Sequence, residues 1–432
     1  VTASTNRELP AVPTAVVATV VFLTAIAPLA TDMYVPAFPR VAHDLGVGAA
    51  PVQLTLTTFF VGMGLGQLVG GPVSDQRGRR RLLLVATLVV CAGSVGCALA
   101  PSIGVLTAAR LVQGFSGGWA MVVGRAVIVD LAHGSQLVRV LNLISGVGGI
   151  APILGPLLGA AIIQLSGWRT SFWVVAGLGA AMACCVTLFV PESLPPGRRH
   201  AGGLRAFRHA SREVLSHRTY VGYVMVSASA MIALFAYVAT SAFILESMNG
   251  LSPVAYSVDF AANAAAMTVA ALLSARLAGR VSTRRVILVG QLIALAAGLA
   301  MLGGAVWART PLLLAVACFF GLMTAQGLVG PNGGALASAA VPDHPGTGSA
   351  VLGLLQWVAA GTVAPIAGLG GSTTAVPMAL LMVAGAVVSL MGLLVVARPS
   401  AVAGMPTHLR PHDPDDDAVS VSVPFDLQVS GH

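Results

Sequence analysis

The sequence predicts an all-α integral membrane protein with twelve transmembrane helices, and three observations carry that prediction. Of 432 residues, 56% are hydrophobic and only 9% charged, with a mean hydropathy of +0.88. That balance leaves too few polar groups to solvate a chain of this size. Apolar runs of the roughly 20 residues that cross a hydrocarbon core follow one another along most of the chain. The arginines cluster in short segments between those runs, mostly on alternate sides, which is a topology signal.

The runs lie at 14–38, 51–72, 82–100, 103–129, 138–163, 169–190, 219–245, 254–278, 286–307, 311–337, 346–370 and 375–397. The first is too long, and flows too directly into "TDMYVP", to end in a small-residue cleavage site, so it reads as an uncleaved helix. With the N-terminus inside, the inner segments hold eighteen arginines and the outer segments only Arg40, Arg169 and Arg309. Both termini are therefore expected in the cytoplasm of a cell-membrane protein. The polar stretch at 191–218 is the natural cytoplasmic linker between two six-helix bundles, 1–190 and 219–398, and 399–432 reads as a disordered cytoplasmic tail containing "HDPDDD". Across the linker, "VQG" at 112–114 answers "AQG" at 325–327, and "API" at 151–153 answers "API" at 364–366, at one common offset. Two matches on one offset suggest a duplicated six-helix unit.

Several function classes drop out. The formal charge is +8, but the basic residues lie in topological segments rather than in a nucleic-acid stripe. All 23 basic residues are arginine, so no Walker-type loop with its phosphate-reaching lysine exists here. Cys91, Cys97, Cys184, Cys185 and Cys318 lie inside apolar runs without metal-ligand spacing, and the histidines fall outside the runs. No nucleophile and base pair, and hence no enzyme, emerges in the membrane. No metal and no cofactor are expected.

The segment "LATDMYVPAFP" at 29–39 places a carboxylate, Asp32, in an apolar helix, where an acid costs roughly 2.5 to 3.5 kcal/mol at the centre. Arg110, in "LTAARLVQGFSGGW", lies seven residues inside the fourth run, and Asp32 lies seven residues before Pro39. At 1.5 Å per residue, both are about 10 Å below the outer boundary, so they are expected either to meet or to share a cavity. Position 323, at the common offset from Arg110, is a methionine, so the basic site belongs to the first half alone.

Between the second and third runs, "GPVSDQRGRRRLLL" resembles motif A of the major facilitator superfamily, with Gly71, Asp75, Gly78, Arg79 and Arg80 at the matching places and Val73 and Gln76 departing from it. Gly78 suits a tight turn and Asp75 a helix cap. The resemblance implies a latch on the inner gate, with Arg79 pairing Asp130 at the inner end of the fourth helix. Arg110, Gln113, Gly114 and Gly117 are similar to motif B. "SGVGGIAPILGPLLGAA" is similar to motif C, the antiporter mark, through Pro152, Gly155, Pro156 and Gly159, although Ala151 and Ala160 replace glycines. Small residues there allow close helix approach. Together with "TDMYVPAFP" and "GWRTSF", these segments resemble the bicyclomycin-resistance (Bcr/CflA) type of drug:proton antiporter. That resemblance implies the major facilitator fold, proton exchange on Asp32 supported by Arg110, and export of small amphipathic compounds by a monomer in the lipid bilayer. It also implies a single-carboxylate mechanism, since Thr24 and Ala25 stand where some related exporters carry a second acid.

Polar residues in membrane runs tend to face a polar interior. Tyr34, Gln113, Asn142, Tyr237, Asn263, Gln326 and Gln356 are thus expected at a substrate cavity, with Phe59, Phe60, Trp119 and Trp357 as aromatic wall, although interhelical bonding accounts for the amides equally well. Asp259 is either an outer-end residue reaching the loop, a cation contact, or a second proton site. The rival reading is export of one endogenous metabolite by the same machinery, and after it a proton-coupled uptake symporter.

Overall fold

The computed structural model describes residues 12–132, 134–198, 211–278, 280–307, 310–341, 345–370 and 373–397, except the side chains at 134–135, 138–139, 141–142, 145–150, 198, 345–346, 364–365 and 368. Expectations for Asn142 and for the tail at 399–432 fall outside this set.

Twelve long helices and no strand occur among the described residues. We label them α1 (Thr14–Asp32), α2 (Ala49–Arg77), α3 (Arg79–Ala98), α4 (Ile103–Leu131), α5 (Gly134–Ser166), α6 (Trp168–Phe189), α7 (Arg218–Ala242), α8 (Pro253–Leu277), α9 (Thr283–Trp307), α10 (Leu312–Ala339), α11 (Pro345–Ala367) and α12 (Val376–Met391). Ten qualify by length and hydropathy as membrane spans. The apolar stretches Ala151–Ser166 and Thr347–Val363 belong to the other two, α5 and α11. Helix starts follow ordinary capping chemistry: Ser102 accepts from the Val105 N–H before α4, and Ser252, followed by Pro253, accepts from the Ala255 N–H before α8. Gly78, with φ of +96°, turns the chain between α2 and α3 in a conformation that residues with a Cβ rarely adopt.

The first run differs from the expected single helix. The α-helix stops at Asp32, a 3-10 turn covers Val35–Ala37, and a short helix follows over Phe38–Asp44. Pro36 and Pro39 explain the break, because a proline has no N–H and cannot continue the i to i−4 ladder. Pro36 stands where the Asp32 carbonyl would find its helical donor. Asp32 therefore occupies the last α-helical position, at a bend in the chain.

Helices α1 to α6 pack among themselves, chiefly α2 on α4, α3 on α4 and α6, and α1 on α5, while α7 to α12 do likewise. Two seams join the sets: α2 runs along α11, and α5 along α8. Glycines set the closest approaches. A Cβ at Gly114 would lie 2.0 Å from the Phe59 carbonyl oxygen, one at Gly118 2.1 Å from that of Met63, and one at Gly66 1.9 Å from that of Phe115. So α2 and α4 touch backbone to backbone, the small-residue contact by which helices associate in lipid. The turn at Gly78 and the neighbouring arginines mark one end of the bundle, here the basic end. The bend at 33–44 lies at the opposite end, where Arg40 donates to the Ile163 carbonyl at 2.8 Å and the Trp168 indole N–H to Asp44 at 3.0 Å. That bond gives "GWRTSF" a structural task.

Candidate functional site

Near mid-height, a cavity of about 180 Å³ lies between the two helix sets. Its wall is made by phenylalanines 59, 60, 235 and 260, by Trp357 and by methionines 63, 121, 267 and 323, together with aliphatic residues of α1 and α7. Aromatic faces and adaptable thioethers suit varied apolar molecules. Asp32 is the one charged residue on that wall among the described residues. Its side chain is 7% exposed, and no ion pair to it occurs among them.

The motif C residues explain how Asp32 is held. A Cβ on Gly155 would sit 2.7 Å from the Asp32 Cβ, and one on Gly159 2.3 Å from the Met33 carbonyl oxygen. The two glycines, one turn apart on α5, form the bed on which the end of α1 rests. Pro152 reaches the cavity wall, and Pro156 is buried beside it.

Arg110 reaches α1 without meeting Asp32. Its Nη1 donates to the Ala30 carbonyl at 3.2 Å and to Gln113 Oε1 at 2.7 Å, and Gln113 donates onward to Ser94 at 2.7 Å. The guanidinium is fully buried, with its carbon 4.2 Å from the Phe59 ring centre, 5.0 Å from Tyr34 and 5.7 Å from Phe172. Ring faces attract a desolvated cation. Nε and Nη2 have no hydrogen-bond partner among the described residues. A buried cation and a buried acid thus approach the same stretch of α1 without an ion pair between them.

The polar residues expected at the cavity are placed otherwise. Tyr34, Gln113, Tyr237, Asn263, Gln326 and Gln356 are not among the lining residues. The Tyr34 hydroxyl bonds Thr55 at 3.0 Å, Gln113 serves Arg110, and Asn263 bonds Tyr237 at 3.2 Å. In a low-dielectric interior an unmade polar bond is expensive, so these three side chains turn toward polar partners. Phe59, Phe60 and Trp357 do reach it, whereas Trp119 packs against Phe115 and beneath Gly70. The four methionines were the missed signal: they lie in membrane runs, on α2, α4, α8 and α10, and meet at the cavity wall.

At the basic end the motif A residues form a closed cluster. Arg79, 7% exposed, holds Asp75 at 2.7 Å and Asp130 at 3.1 Å and also bonds Ser74. Asp75 is thus a side-chain partner in the last turn of α2 and not a cap for the next helix. The cap comes from elsewhere: Glu192, just past α6, accepts the Arg79 backbone N–H at 2.8 Å, and Ser193 donates to Asp130 at 2.8 Å. Arg80 donates to the Thr187 carbonyl at 2.6 Å. Gly71 has space around it, a Cβ meeting only Val122 at 4.0 Å, while the unremarked Gly70 would meet the Trp119 ring at 2.6 Å.

Twelve long apolar helices around an apolar cavity with a single acid define a membrane transporter of small molecules. The chain belongs to the major facilitator superfamily, whose family model matches residues 20–365. Its relatives include the uncharacterized MFS-type transporter YdgK of Bacillus subtilis, 33% identical over 85% of this chain and 91% of that one. A bicyclomycin resistance protein homolog of Haemophilus influenzae is 27% identical over 85% and 92%, and the multidrug resistance protein MdtL of Klebsiella pneumoniae 26% over 86% and 93%. The fold is similar to that of a bacterial homolog of the human lysosomal transporter Spinster in an inward-facing, unoccupied conformation (TM-score 0.69, 16% identity, 88% of this chain and 95% of that one). It is also similar to the human organic anion transporter MFSD10 (TM-score 0.65, 18% identity, 88% and 98%).

Proposed function

We propose that this transporter is a proton-coupled exporter of small amphipathic compounds, working by alternating access between the α1–α6 and α7–α12 sets, with the basic end and both termini in the cytoplasm. The observation that carries the reading is Asp32: a lone acid on an otherwise apolar, aromatic and methionine-rich wall, seated at the bend of α1. Such a group binds a proton or faces a cationic cargo, but an apolar cavity this small favours one at a time. Loaded with a proton from the acidic outer side, Asp32 gives it up when cargo enters from the cytoplasm. Arg110, gripping α1 at Ala30, transmits the charge state of that helix to α4. The names of the Haemophilus and Klebsiella relatives agree with drug export.

The test is efflux in everted membrane vesicles, with ethidium as cargo and a pH gradient imposed. Wild-type protein is expected to move ethidium against its gradient, and Asp32→Asn, at equal abundance in the membrane, to fail. Uphill movement by Asp32→Asn overturns the assignment.

A further inference from the structure

A second carboxylate lies within a membrane run, behind the cavity wall. Asp259 on α8 is half-buried, and Asn263, one turn on, is 1% exposed. The Asn263 amide nitrogen donates both to Asp259 Oδ2, at 2.9 Å, and to the hydroxyl of Tyr237 on α7, at 3.2 Å. Tyr237 is fully buried and stacks on Phe260, with ring centres 5.4 Å apart. Phe260 shares the cavity wall with Asp32. The other titratable groups around this network are Tyr256, bonded to Ser241 at 3.0 Å, and Glu246 beyond it. Among the described residues, α5 and α10, which pack against α8, bring no charged group into bonding contact with Asp259.

The donors and acceptors make this a two-state device. An amide nitrogen has two hydrogens, and here both are used. The Tyr237 oxygen is thereby an acceptor toward Asn263, and its own hydrogen points elsewhere. Protonated Asp259 gains a donor while its carbonyl oxygen still accepts. A half-turn of the Asn263 amide brings Oδ1 into the place of Nδ2, where its two lone pairs accept from the Asp259 hydroxyl and from Tyr237 together. The network thus has partners for Asp259 in both protonation states.

We propose that Asp259 is a second proton-carrying carboxylate, held by the Asn263 amide and through it by the Tyr237 hydroxyl, so that two protons are exchanged in each turnover. This rests on the exchange reading above and extends it. The charges balance as follows: two protons enter as one monovalent organic cation leaves, and one net positive charge crosses the membrane inward. With one proton the same exchange is electroneutral.

The test uses the purified full-length protein in liposomes on a solid-supported membrane, with ethidium as probe, reading both charge displacement and pH-driven ethidium flux. Wild-type protein is expected to show flux with a current. Asp259→Asn and Tyr237→Phe are expected to keep flux and lose most of the current, and Asp259→Glu to retain both. A structural role alone would lower flux and current together. Wild-type flux without current, or full current in Asp259→Asn, overturns the second site while leaving Asp32 in place. Absence of any pH-driven ethidium flux in the wild type overturns the exchange reading and this proposal with it. If Asp259→Asn does not reach the membrane, the wild-type current and Tyr237→Phe decide.

Discussion

Charge is buried in two regions of this molecule, and they handle it in opposite ways. At the basic end Arg79 meets Asp75 and Asp130, Asp130 also receives Ser193, and Glu192 closes the start of α3. At mid-height Asp32 and Arg110 are equally buried, yet neither has a counter-ion among the described residues. A satisfied cluster has one preferred arrangement and resists change. An unpaired charge in a low dielectric is expensive in any single arrangement, so a proton or a cargo ion shifts its energy by a large amount. The first region is built to hold α2, α3, α4 and the segment after α6 together, and the second to respond.

Substitutions that separate stability from transport sharpen this contrast. The largest effect is expected at Arg110→Met: transport falls to background, while the melting temperature of the detergent-solubilised protein stays level or rises, because an unpaired buried cation is replaced by an apolar side chain. Asp130→Ala is expected to do the reverse. It leaves Arg79 with the half-exposed Asp75 as its one acidic partner among the described residues and removes the acceptor of Ser193, lowering stability by about 1 to 3 kcal/mol, read as an earlier thermal transition. Gly155→Ala brings a methyl group against Asp32 and is expected to cost about 1 to 3 kcal/mol, with efflux reduced more than abundance. The smallest change belongs to Glu192→Ala, which removes a cap on α3 and costs about 1 kcal/mol, with Glu192→Gln milder because its amide oxygen still accepts. A double-mutant cycle orders the two acids of the basic end. Coupling of Arg79 to Asp130, whose side chain is 16% exposed, should exceed coupling to the half-exposed Asp75, where solvent leaves about 0.2 to 1 kcal/mol.

The sequence made the helices legible because the bilayer imposes a length on every apolar run, and it exposed Asp32 because an acid in such a run is conspicuous. The expected contact of Arg79 with Asp130 appears in the structure. Other features depended on partners that no local pattern reveals. Glu192 reaches Arg79 from the far side of α6. Of the amides and hydroxyls expected at the cavity, Tyr34, Gln113, Tyr237 and Asn263 found polar partners elsewhere, a choice that rests on helix rotation, which an apolar run does not encode strongly when lipid and protein interior are alike. The bend after Asp32 was written in Pro36 and Pro39, yet run length alone concealed it. The Asp259 and Asn263 pair was visible as an i, i+4 spacing, whereas Tyr237, on another helix, was not.

The central claim is that Asp32 carries a proton which cargo displaces. Proton release from purified, lightly buffered protein on addition of ethidium tests it most directly. The wild type is expected to release protons in proportion to ethidium bound, and Asp32→Asn to release none from this site, its remaining signal being at most that of Asp259. Undiminished release from Asp32→Asn, or saturable ethidium binding by the wild type with no protons released, would contradict the account.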